Sequence, residues 1–67
     1  MIAVTANGES RSVPEGITLA DFVEGLRVPG GRVAVELNGR LVPRDRFPTV
    51  ALAAGDRLEV VTLVGGG

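Results

Sequence analysis

Apolar and polar residues alternate from Ile2 to Ala6, with Ile2, Val4 and Ala6 on one side, the two-residue period of a half-buried strand. Asn7-Gly8 follows, and both residue types accept positive φ, so the pair predicts a tight hairpin turn. Glu9 to Val13 returns as a more polar strand and is closed by Pro14-Glu15-Gly16. The period then changes. Leu19, Phe22, Val23 and Leu26 recur at i, i+3, i+4 and i+7, which is one face of a helix. Thr18 is placed as N-cap with Asp21 three residues on, a capping-box spacing, and Ile17 and Phe22 hold the positions of a hydrophobic staple. Gly25 weakens the last turn by about 1 kcal/mol relative to Ala, and Pro29-Gly30-Gly31 ends the helix.

Residues 33–37 alternate again, with Val33, Val35 and Leu37 opposite Ala34 and Glu36. A second Asn-Gly pair, Asn38-Gly39, leads to a short fourth strand. Residues 44–48 have no clear period and are expected as an irregular connection in which Phe47 plugs the core. Ala54-Gly55-Asp56 reads as a turn before a last strand over 57–64. The order is therefore hairpin, helix, hairpin and final strand. It predicts an α+β domain over 1–64, a mixed sheet of four to five strands with one helix packed across one face. The first and last strands would lie parallel at its centre, and residues 65–67 would form a flexible glycine tail.

Composition narrows the chemistry. In 67 residues there is no Cys, His or Lys, so disulfides, the usual zinc sites and the commonest nucleophiles and bases are missing. Ser10 and Ser12 have no neighbouring base to activate them, and a self-contained catalytic site is not expected. Seven Arg against eight acidic residues give a net charge of −1, and Trp and Tyr are absent. Neither an electrostatic footprint nor stacking platforms for nucleic acid are present. The N-terminus lacks the pattern of a signal peptide, and no apolar run is long enough to span a bilayer. A cytoplasmic protein without nucleic-acid or membrane partners is expected, stabilised by its 45% apolar residues.

Two features remain as candidates for function. The first is the terminal run Gly65-Gly66-Gly67. Glycine lacks a Cβ, so such a tail can thread a narrow channel and bring its backbone close to a reactant. The carboxylate of Gly67, at the end of this tail, is a group that could be activated. The second feature is the last strand. If Leu58 and Val60 face the helix, then Glu59, Val61 and Leu63 face outward. Joined by Ala34 and Val42, they would form a docking patch on an open sheet face, with Arg44 as a further candidate contact.

The segments VELNGRLVPR and AAGDRLEVVTLVGGG resemble the ThiS family of sulfur carriers in thiamine biosynthesis, which has the ubiquitin-like β-grasp fold. The likeness runs along the whole chain: opening hairpin, helix, Asn-Gly turn, Val-Pro-Arg, Gly-Asp before the last strand, and the terminal glycines. It implies that the Gly67 carboxylate is adenylated with ATP by a ThiF-type enzyme and converted to a thiocarboxylate. Sulfur from a donor such as a cysteine desulfurase would then pass to the thiazole synthase ThiG, and the carrier would bind no cofactor or metal of its own. Two related readings share the fold: the small subunit of molybdopterin synthase, and a ubiquitin-like modifier or interaction module. The small subunits of molybdopterin synthase tend to be longer and richer in aromatic residues.

Overall fold

The computed structural model describes residues 1–28 and 32–63. Five strands, β1 (Ile2–Ala6), β2 (Glu9–Val13), β3 (Val33–Leu37), β4 (Arg40–Val42) and β5 (Arg57–Thr62), form one sheet in the order β2-β1-β5-β3-β4. One helix, α1 (Leu19–Gly25), packs on one face, and a 3₁₀ helix (Arg44–Thr49) follows β4. β1 and β5 run parallel at the centre, with antiparallel hairpins outside them. This is the ubiquitin-like β-grasp arrangement that the sequence pattern predicts.

Local chemistry accounts for the elements. Both Asn-Gly pairs adopt positive φ at each residue, 51° and 83° at Asn7-Gly8 and 53° and 86° at Asn38-Gly39. That backbone matches the twist of the strands it joins. The Thr18 hydroxyl accepts from the Asp21 N–H at 3.1 Å, satisfying one of the free donors at the start of α1. Ile17 packs against the core that contains Phe22, as a staple does. The helix start is also tied to the chain after the 3₁₀ helix. The Leu19 N–H donates to the Val50 carbonyl at 2.8 Å, and the Leu52 N–H to the Ile17 carbonyl at 2.9 Å.

The core lies between α1 and the inner sheet face. Leu19 and Val35 are completely buried, Val4 and Leu58 nearly so, and Ala6, Val13, Phe22, Val33, Phe47 and Leu52 complete it. Each large side chain there contributes about 1.5–3 kcal/mol by leaving water. No buried polar or charged residue interrupts it among the described residues.

Two expectations are corrected. Residues 44–48 are not irregular but lie in the 3₁₀ helix, where the Arg46 N–H donates to the Pro43 carbonyl and the Thr49 hydroxyl to the Arg46 carbonyl, both at 2.9 Å. So short a helix leaves little periodicity to read, and Pro48 inside it disguises it further. α1 also ends before Pro29. Leu26 and Arg27 donate to the Val23 and Glu24 carbonyls, each at 3.1 Å, and Arg27 itself takes the left-handed conformation, φ 55°. Arg27 occupies the position where a glycine commonly closes a helix.

Candidate functional site

The last strand organises the site. The Asn38 N–H donates to the Arg57 carbonyl at 2.7 Å and the Leu63 N–H to the Arg32 carbonyl at 3.0 Å. With the register Ala34↔Val61 and Glu36↔Glu59, odd-numbered positions of β5 therefore bond to β3. Even-numbered positions direct their backbone groups towards β1. Side chains alternate in the same way: Leu58 enters the core, while Glu59, Val61 and Leu63 stand on the open face.

Val61 is 58% exposed and Leu63 52%, so both apolar side chains remain in water on the side away from the helix. Ala34, half-buried, sits opposite Val61. Further along, Glu36 and Glu59 are directly opposite one another, and Arg57 shares a shallow polar groove with them and with Asn38. Two like charges facing each other across a ladder disfavour the pairing. The open face thus has an apolar end, where β5 leaves the sheet, and a charged middle.

Two predicted members of this patch stand elsewhere. Val42 pairs with Val35, which is fully buried, and packs against the core on the helix side. The outward residue of β4 is Leu41, opposite Glu36 and 68% exposed. The sequence held the signal. A two-residue turn at Asn38-Gly39 pairs Leu37 with Arg40, so Leu41 meets Glu36 and Val42 meets Val35. Arg44 is exposed but lies in the 3₁₀ helix, lining a groove with Ala20, Val23, Glu24 and Arg27 on the helix layer. Val64 and the predicted tail, Gly65, Gly66 and Gly67, lie outside the described residues.

Both turn asparagines do more than turn. Asn7 donates from Nδ2 to the Val60 carbonyl at 3.0 Å and accepts at Oδ1 from the Val60 N–H at 2.8 Å. Asn38 accepts from the Arg57 N–H at 2.9 Å and donates to Asp56 Oδ1 at 3.0 Å. Asp56 in turn accepts from the Ala53 N–H at 2.7 Å. Each asparagine amide imitates a peptide group and fastens β5 to its neighbours. Among the described residues, no group of three or more His, Cys, Asp or Glu could hold a metal ion, and no helix is long and apolar enough to cross a membrane.

A five-stranded mixed sheet with one covering helix, an open second face and a central last strand defines a ubiquitin-like β-grasp protein. The chain belongs to the ThiS family, whose model matches residues 3–67. Its structure is similar to the crystal structure of the thiamine biosynthesis protein ThiS from Geobacter metallireducens. The TM-score is 0.82 at 30% identity, covering 98% of this chain and 100% of that one. Protein ycf40 of Pyropia yezoensis is 41% identical over 66 residues, 98% of this chain and 93% of its own length. A thiazole synthase of Paramagnetospirillum magneticum is 39% identical over 61 residues, 91% of this chain. The chain spans only 19% of that synthase.

Proposed function

We propose that this protein is a sulfur carrier of thiamine biosynthesis, with the carboxylate of Gly67 as its attachment point. The observation that carries the reading is the match of the ThiS family model through residue 67, which includes the three glycines. Those glycines follow a central strand whose last outward side chains, Val61 and Leu63, are apolar. The protein is then a co-substrate and not a catalyst, consistent with a sequence that has no Cys, His or Lys.

The chemistry needs two steps, both on partner enzymes. A carboxylate oxygen of Gly67 attacks the α-phosphorus of ATP in a ThiF-type enzyme, and pyrophosphate leaves. The terminal sulfur of a persulfide, on a donor such as a cysteine desulfurase, then attacks the acyl carbon. AMP departs with the former carboxylate oxygen, a thiol cleaves the S–S bond of the acyl disulfide this forms, and the terminus becomes a thiocarboxylate. The thiazole synthase ThiG is the acceptor. Support for that pairing comes from the thiazole synthase relatives, in which a segment similar to this chain is part of the same polypeptide. ATP belongs to the activating enzyme, the carrier binds no cofactor or metal of its own, and the cytoplasm is the compartment that fits.

In this reading residues 1–64 are the recognition domain and 65–67 the reactive tail. Gly65 and Gly66 thread the partner's channel because neither presents a Cβ to its walls. The open face with Glu59, Val61, Leu63 and Ala34 docks against the enzyme, and Leu41 takes the place expected of Val42. The experiment is ATP-dependent pyrophosphate release by the adenylating enzyme, using the full chain and a chain lacking Gly66 and Gly67. The full chain is expected to support release and the shortened one to abolish it with the fold intact. Equal release from both would overturn the role of the tail.

A further inference from the structure

We propose that Asn7 is a positioning residue for the reactive tail, acting through β5. This rests on the carrier reading above and assigns a task to a side chain remote in sequence from the glycines. The parallel pairing of β1 with β5 comprises only Thr5↔Arg57 and Ala6↔Leu58. β1 then turns away at Asn7-Gly8, while β5 continues to Thr62. On this side the backbone ladder ends with the Asn7 N–H donating to the Leu58 carbonyl at 2.9 Å. The next groups facing β1 belong to Val60, and the Asn7 side chain takes both of them, at 2.8 Å and 3.0 Å.

The amide therefore extends the sheet by one peptide where no backbone remains to do so. Val60 lies between the outward Glu59 and Val61 and close before the glycines. With β3 alone holding it, the end of β5 could pivot about a single ladder, and Val61 and Leu63 would turn with it. Held on both edges, it keeps one direction, which shortens the search of the Gly67 carboxylate for the nucleotide.

Asn38 supplies an internal control. It has the same turn type and nearly the same φ, and its side chain makes two hydrogen bonds to the β5 end of the Ala54–Asp56 turn, at Arg57 and Asp56. Glycine suits positive φ at either position, so Asn7→Gly and Asn38→Gly each remove two side-chain hydrogen bonds while keeping the turn. They are expected to lower the melting temperature by similar amounts. Only Asn7→Gly is expected to reduce kcat/KM for adenylation, by at least fivefold, with Asn38→Gly within twofold of the parent chain. Amide exchange at Val60 should accelerate in Asn7→Gly alone. Asn7→Asp keeps the acceptor for the Val60 N–H and loses the donor, so it should lie between Asn7→Gly and the parent.

Equal losses of kcat/KM in the two glycine variants would overturn the positioning role and leave the carrier reading intact. So would an unchanged rate in Asn7→Gly. If Asn7→Gly does not fold, an unchanged rate in Asn7→Asp decides against it in the same way. Failure of the parent chain to be adenylated would overturn the carrier reading itself.

Discussion

Leu63 is the last described residue before the glycine run, and more than half of its surface is in water on the open face. A few apolar anchors usually dominate binding to a partner, and a short glycine tail offers little contact area of its own. Leu63→Arg should therefore weaken binding to the adenylating enzyme by at least tenfold, about 1.4 kcal/mol. The melting temperature should barely move. Calorimetric affinity and a thermal melt on the same variant test this: unchanged affinity removes Leu63 from the interface. The outward direction of Val61 and Leu63 was legible because the alternation of β5 is strict. The side-chain role of Asn7 was not, because it depends on where a parallel partner strand runs out, and no local pattern records that. Val42 was misassigned by treating alternation within β4 in isolation from the turn that sets its register.

Among the elements, α1 binds the two halves of the sheet into one core with only two turns of helix. Phe22 is its largest buried side chain, 6% exposed. Phe22→Ala should cost about 3–5 kcal/mol, the usual range for deleting a buried aromatic. In a domain of this size that approaches the whole stability, so a denaturant titration should show a large loss. A loss under about 1 kcal/mol would contradict the packing of this helix. The other end of α1 points the opposite way. Arg27 holds a left-handed φ of 55° that a non-glycine residue adopts at a cost. Arg27→Gly should stabilise the protein by about 0.5–1 kcal/mol, read as a higher denaturant midpoint. Destabilisation would show that the arginine side chain matters more than its backbone. The start of α1 was legible in Thr18, Asp21 and the apolar spacing. Its end was not, because Gly25 and Pro29 both break helices and nothing local ranks Arg27 above them. Leu52 joined the core unannounced, placed there by the hydrogen bonds of residues 50–52 to the helix start.

For the molecule as a whole, the sheet order places one strand at the centre, fastened by backbone to β1 and β3 and by two asparagine side chains. The hairpins and the helix could be read from the sequence because each rests on a short-range signal, an Asn-Gly pair, a cap or a change of period, and the parallel centre followed from the order of these elements. The open face could be read only in part, since its membership depends on registers between strands distant in the chain. What this architecture holds steady is the strand that leads to Gly65, Gly66 and Gly67. The most direct test of that purpose is the intact mass of the protein after incubation with ATP, a ThiF-type adenylating enzyme and a sulfur source. The account predicts that one terminal oxygen is exchanged for sulfur, that the change maps to Gly67, and that omitting ATP prevents it. An unchanged mass with active partner enzymes, or sulfur found on any residue other than Gly67, would contradict it.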